Sequence, residues 1–274
     1  MKRPGQLSWQ ESVGEVAQLY GPRGVETYTQ KFAGRTDLKP EDALRLFRQQ
    51  PTQMSTRFFR EANLRVLAAR VAERLMWQLG VSSLEIGDQA ASSGKEARSL
   101  AAMLQAQGVP FHISAFDVSP LAVQIARQGE YTDEPLAAIA QRIGATAAER
   151  FVYPYFEESD GVVRTPSLEA HLSFDRHDLF DGPPPGKPRH VQVIENVLWH
   201  VPESTGARDQ MLGNVLGSLA EGGVLVFEGV NGNSRQGENY GRWVAGLAEN
   251  HGLHPMDGLG GQWSQQIRQY MPQD

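Results

Sequence analysis

Residues Leu84 to Tyr131 constrain this chain more than any other stretch. An apolar run containing Leu84 and Ile86 ends in the small-residue turn Ala90-Ala91-Ser92-Ser93-Gly94. An amphipathic stretch follows, with Leu100, Met103 and Leu104 on one side, and a second apolar run from Ile113 to Phe116 delivers Asp117. Strand, turn, helix, strand and terminal acid is the plan by which an open parallel sheet holds an adenosine-bearing cofactor. Small residues let a ligand approach the backbone of the turn closely. A carboxylate closing the second strand can accept hydrogen bonds from both ribose hydroxyls.

Two cofactors suit that plan and ask for different turns. A dinucleotide brings a pyrophosphate, which a Gly-x-Gly-x-x-Gly turn and a helix N-terminus would hold. This turn has only Gly87 and Gly94 and lacks that spacing. S-adenosylmethionine brings an amino acid tail, whose ammonium needs an acceptor, and Glu96 just inside the helix supplies one. The methyl donor is therefore favoured over NAD.

The rest of the chain fits an α/β protein. Residues 1 to about 80 read as a helical region, clearest over Glu41–Gln49 and Glu61–Leu79, with Pro40 and the acids Glu41 and Asp42 starting the first segment. From about Ser83 strands and helices alternate: strands over Ser83–Gly87, His112–Phe116, Val191–Glu195 and Val224–Glu228, helices over Glu96–Gln107, Pro120–Gln128 and Ser204–Leu219. That alternation predicts a mostly parallel sheet covered on both faces. The rhythm breaks at about residues 132–172. There a short helix (Pro135–Ile143) leads to Asp160-Gly161 between the apolar stretches Phe151–Tyr153 and Val162–Arg164, the signal of a small antiparallel insertion. Domain boundaries are accordingly set at 1–80 and 81–274, and a final helix is expected at Trp243–Asn250.

Composition narrows the function classes. Among 274 residues there is no cysteine, which removes disulfides, thiolate metal sites and cysteine nucleophiles together. His251 and His254 form no ligand set, and no metal is expected. A net charge of -6 argues against nonspecific nucleic acid binding. The mean hydropathy of -0.41 and the lack of a long apolar run argue against a membrane span. No charged-then-apolar leader opens the chain, so a cytoplasmic protein is expected.

Several segments in register resemble the chemotaxis-receptor glutamate methyltransferases, the CheR type. Ser55-Thr56-Arg57-Phe58-Phe59-Arg60-Glu61 is similar to the family's T-x-F-F-R-[ED], and Ala91-Ser92-Ser93-Gly94-Lys95-Glu96 to C-S-T-G-E-E. Phe116-Asp117-Val118-Ser119 and Ala126-Arg127-Gln128-Gly129-Glu130-Tyr131 resemble T-D-I-[DS] and A-R-x-G-x-Y. Arg176-His177-Asp178-Leu179 resembles the segment that closes over adenine, and Glu195-Asn196-Val197-Leu198 resembles R-N-V-[LM]. The resemblance runs from about Met54 to Gly229 and implies a class I methyltransferase fold, Rossmann-like, with a helical N-terminal part and an inserted β-subdomain that in this family can dock a receptor tail. It also departs in telling places. Lys95 replaces an acid, Glu195 replaces an arginine, and His200 replaces a tyrosine placed near the methyl group.

The resemblance assigns cofactor contacts to Thr56, Arg60, Gly87, Ala91, Glu96, Asp117, Asp178, Leu179 and Asn196. Each has an ordinary alternative. Ser93-x-x-Glu96 is also a capping box, Asp117 and Asp178 are common turn residues, and an arginine such as Arg60 usually lies on a solvated helix face. His200 is a candidate general base, with Arg60 beside it in orienting the acceptor, or else a polar structural residue. Glu195, with His200, either meets the acceptor or pairs with an arginine. Trp199, Trp243 and Trp263 either line an acceptor pocket or fill the core. The expected activity is methyl transfer from S-adenosylmethionine to a small metabolite or to a protein side-chain carboxylate. The alternative is a regulatory module that binds the cofactor without turnover.

Overall fold

The strand and helix alternation after residue 80 builds one seven-stranded sheet. A computed structural model describes residues 7–35, 37–40, 42–44, 57–60, 62–195, 197, 206–227, 246, 249–256, 259 and 267–270. Ahead of the sheet come α1 (Trp9–Phe32), α2 (Ala62–Val66), a π-helical turn (Leu67–Val71) and α3 (Ala72–Leu79). Ser8 and Glu11 start α1 through a reciprocal capping box. Of the expected helix over Glu41–Gln49, residues 42–44 are described and helical; the rest of it, and most of that over Trp243–Asn250, fall outside the described residues.

The first repeat is β1 (Leu84–Gln89), α4 (Lys95–Ala106), β2 (Phe111–Asp117) and α5 (Pro120–Gln128). Next come α6 (Leu136–Ile143), α7 (Ala145–Phe151), β3 (Glu157–Ser159), β4 (Val162–Arg164), a 3-10 turn (Pro166–His171) and β5 (Leu172–Arg176). The chain ends in β6 (Arg189–Ile194), α8 (Ala207–Leu216), β7 (Leu219–Phe227), β8 (Leu253–Pro255) and β9 (Ile267–Tyr270). The sheet order is β5-β2-β1-β6-β7-β9-β8. Strands β5, β2, β1, β6 and β7 are parallel, while β9 runs antiparallel between β7 and β8. From β1 the chain moves to one side for β2 and β5, then returns to the other for β6. That reversal opens a crevice beyond the carboxyl ends of β1 and β6, where open sheets of this kind bind ligands.

Two apolar layers fix the sheet. On one face Ile86, Ile113, Ala115, Val191, Val193 and Val224 pack against Leu100, Met103 and Leu104 of α4 and against Leu67, Val71 and Leu75. On the other, Ile194 and Leu225 meet Met211, Leu212 and Val215 of α8. Over β1, β2 and β5 this second face carries no helix, because the connection from β5 to β6 is the proline-rich loop at 183–186. The strand residues beneath it are polar, and Glu85, His112, Ser114 and Asp175 line a cavity of 560 Å³.

The insertion contains the expected hairpin, with Asp160 (φ 54°) and Gly161 (φ 71°) both left-handed, as a two-residue turn of this hand requires. Its first strand is Glu157–Ser159 rather than Phe151–Tyr153, because Phe151 closes α7 and Val152 and Tyr153 belong to the following turn. Strand β5 went unread because only Leu172 and Phe174 give it an apolar alternation. Helix α8 stops at Leu216 and β7 begins at Leu219, so the expected helix end is part of a strand.

Gly87 sits within β1, opposite Ser114 and Gln192. A Cβ there would lie 2.1 Å from Gln192 Oε1 and 2.8 Å from Arg189 Cδ. The missing side chain makes room for a buried chain of hydrogen bonds, in which Gln89 Nε2 donates to Gln192 Oε1 (2.8 Å) and Gln192 Nε2 donates to Ser218 Oγ (2.6 Å). Gly87→Ala should lower stability by about 1–3 kcal/mol through overpacking, measured as a reduced midpoint in urea at unchanged slope.

Candidate active site

The turn from β1 to α4 is wound by three alternating left-handed residues, Ala90 (φ 57°), Ser92 (φ 52°) and Gly94 (φ 78°). Two of them are not glycine, a costly choice that persists only where neighbours over-determine it. Asp117, the last residue of β2, is one such neighbour. Its carboxylate accepts the backbone N–H of Ser92 and that of Ser119, both at 2.8 Å. The carboxylate thus ties the two turns at the sheet's carboxyl edge together. Each oxygen keeps a lone pair for a further donor. Burial raises the Asp117 pKa, and the two backbone donors oppose that rise.

One strand away stands a second carboxylate that the sequence reading passed over. Asp88 is 2% exposed, and neither of its oxygens has a hydrogen-bond partner among the described residues. Burial, then repulsion from Asp117, pushes its pKa up to about 7.

Glu96 lies in the first turn of α4, 3% exposed. The N-cap of that helix is Gly94, so Ser93 does not start it and the capping box is not formed. Glu195 follows the last residue of β6, is 4% exposed, and comes next after Ile194, which pairs with Gln89. Four acids, Asp88, Glu96, Asp117 and Glu195, therefore gather where β1, β2 and β6 end.

The loop after β5 returns to this edge, since the His177 N–H donates to the Asp117 carbonyl (3.1 Å). Asp178 follows, half-buried, and accepts the N–H of Phe180 (3.0 Å), a local turn bond. Leu179 is buried in the second apolar layer, and its carbonyl accepts from Asn214 Nδ2 (2.7 Å). Ala91 is buried behind the turn, donating to the Phe116 carbonyl (2.9 Å). Arg60 is half-buried and follows Phe59, whose N–H donates to Ser99 Oγ of α4 (2.8 Å). Thr56, Asn196 and His200 lie outside the described residues.

Residues 54–239, about two thirds of the chain, match the family model of the CheR methyltransferase, SAM binding domain. The chain belongs to the CheR methyltransferase family. It is thus a methyltransferase whose cofactor is S-adenosylmethionine. No curated protein matches the sequence. Solved structures that it is similar to include a TehB-like SAM-dependent methyltransferase from Corynebacterium glutamicum, at 13% identity over 84% of this chain and 94% of that one, TM-score 0.40. Others are SAM-bound CalS10, an amino pentose methyltransferase from Micromonospora echinaspora (13%, 60% and 50%, TM-score 0.35), and the cyclase SpnF (16%, 58% and 43%, TM-score 0.33). The chain spans half or less of the length of CalS10 and SpnF.

The residues present fit the cofactor. S-adenosylmethionine carries a sulfonium, an ammonium and two ribose hydroxyls, and the edge offers four carboxylates, of which Asp88 has no donor among the described residues. No helix among the described residues is long and apolar enough to cross a membrane.

The Asp88 shift has a definite sign. A folded pKa near 7 against the ordinary 3.8 means that the folded protein holds an extra proton between those values. Its stability contribution is full below the lower value and is lost as pH rises through the upper one. The cofactor-free protein should therefore lose on the order of 3 kcal/mol between about pH 5 and pH 8 from this group. Asp88→Asn should flatten that fall in thermal melts across the same range. A wild type whose melting temperature is level over it would refute the buried, unpaired state of Asp88.

Proposed function

We propose that the protein methylates a neutral or cationic acceptor, an amine or alcohol of a small metabolite, rather than an anionic receptor glutamate. Glu195 carries this proposal: a buried acid stands at the end of β6 where the family pattern has an arginine. Beside Asp88, Glu96 and Asp117 it makes the edge of the sheet strongly acidic. A carboxylate acceptor would approach against that field, whereas an ammonium would be drawn into it and a neutral hydroxyl would not be opposed.

When bound, S-adenosylmethionine supplies a methyl group already activated by its sulfonium. In this proposal Asp117 accepts from the ribose hydroxyls and Glu96 accepts from the ammonium. Arg60, with Thr56, meets the carboxylate of the same tail, suited to it by the guanidinium fork. Asp178, Leu179 and Asn196 flank the adenine, while Gly87 and Ala91 support the turn from behind. Glu195 orients the acceptor, and His200 removes its proton as the new bond to carbon forms. The helical region 1–80 precedes a methyltransferase domain at 81–274, with the insertion at 132–172.

Two experiments test this. Titration calorimetry should show the wild type binding S-adenosylhomocysteine, with Asp117→Ala weakening it about 10–100-fold for the lost charged hydrogen bonds. Melting curves of the variant check that it remains folded. A panel of amines, alcohols and acidic helical peptides, read by release of S-adenosylhomocysteine, should show turnover on the first two classes only. Turnover confined to glutamate side chains would refute the acceptor assignment. Tight product binding with no turnover on any class would favour the regulatory module.

A further inference from the structure

Four charged side chains outside the acidic edge are packed around two phenylalanines. Lys95 is 2% exposed and Glu134 is 5% exposed, although neither joins the cofactor contacts named above. The Lys95 Nζ stands 2.7 Å from Asp133 and 3.3 Å from Glu134, and 5.5 Å above the rings of both Phe58 and Tyr131. Arg142 pairs with the other oxygen of Glu134. Two cations thus face two carboxylates, with Lys95 and Glu134 both buried.

What Glu134 and Arg142 hold is backbone. The Phe58 N–H donates to Glu134 Oε2 (3.2 Å), and Arg142 Nη1 donates to the Phe58 carbonyl (2.8 Å). The next N–H, of Phe59, donates to Ser99 Oγ (2.8 Å), which itself donates to the Lys95 carbonyl (2.7 Å). Three consecutive polar groups of this segment are therefore pinned to α4 and to the start of the insertion. Between them Phe59 takes a φ of +54°. A bulky residue adopts that conformation only where its surroundings impose it. Arg60, half-buried, follows the clamp immediately in the chain.

We propose that Glu134, fixed by Lys95 and Arg142, is a positioning residue. It holds the Phe58–Phe59 backbone, with Phe59 left-handed, and so sets Arg60, the next residue, to receive the carboxylate of the cofactor's amino acid tail. The proposal rests on the assignment of Arg60 to that carboxylate. It also gives the lysine at position 95 a role: where the family places an acid, this chain places a cation paired with Glu134.

The test compares Glu134→Ala, Glu134→Gln, Arg60→Ala and the double variant Glu134→Ala with Arg60→Ala, all in the full chain and all checked by melting. Two ligands are titrated: S-adenosylhomocysteine, and 5′-methylthioadenosine, which lacks the amino acid tail. Glu134→Ala and Arg60→Ala should each weaken the first on the order of tenfold and leave the second unchanged. The double variant should lose no more than either single one, because the two residues act through one contact. Glu134→Gln keeps an oxygen acceptor and should fall between. Amide exchange at Phe58 and Phe59 should quicken in Glu134→Ala, a readout that needs no cofactor. Unchanged exchange, equal loss for both ligands, or additive losses would overturn the proposal. If Arg60→Ala binds the product as the wild type does while exchange in Glu134→Ala quickens, the clamp stands and the assignment of Arg60 falls.

Discussion

Two carboxylates stand at the dry end of a parallel sheet, and the cost of burying them there governs what else that end can hold. Asp117 meets the cost of burial with two backbone N–H donors, which also fasten the β1–α4 turn to the β2–α5 turn. Asp88 has no such donors and instead takes up a proton near neutral pH. A cation placed at this edge would stabilise the charged form of Asp88 and relieve its repulsion with Asp117. Strain in the same turn, at Ala90 and Ser92, is sustained by the bonds that Asp117 makes.

Lys95, Glu195 and His200 all depart from the family pattern, and departures at a site can mean decay. Lys95 behaves otherwise. A buried lysine left by drift would be an unpaired charge costing several kcal/mol, about 3–5 by comparison with broken buried pairs. Here it has two carboxylate partners and two aromatic rings around it. Asp133 and Glu134 complete a neutral cluster whose product is a fixed backbone at Phe58. Such compensation is what a changed but maintained site requires, because each member would be destabilising without the others.

Much of the frame was legible in the sequence because burial leaves a periodic trace. Strands β1, β2 and β6 are flanked by turn signals, and Asp160-Gly161 states its own turn geometry. The failures share a cause. Strand β5 hides its alternation because one face lines a polar cavity. Asp88 stands between Gly87 and Gln89, and a sequence does not show that its position is sealed from water. Glu134 and Arg142 lie far along the chain from the Phe58 they hold, and nothing local announces a contact of that separation. The turn at residues 90–94 is the instructive middle case. The missing glycine triplet was taken against a dinucleotide, yet left-handed backbone occurs at Ala90, Ser92 and Gly94 all the same. Composition bounded the turn's chemistry, while the bonds from Asp117 determined its shape.

The acidic edge also limits the acceptor more tightly than attraction alone suggests. A negative field draws in an ammonium but raises its pKa, so the nitrogen keeps the proton that blocks attack on the methyl group. A bound sulfonium acts in the opposite sense, lowering the pKa of a nearby amine and repelling its protonated form. These demands conflict if one nitrogen must both anchor the molecule and attack. They are compatible if the acceptor carries a cationic group that Glu195 holds and a separate hydroxyl or amine that meets a base. Under the proposed acceptor assignment, Glu195 in place of arginine would suit a bifunctional small molecule, with charge at one end and the nucleophile at the other.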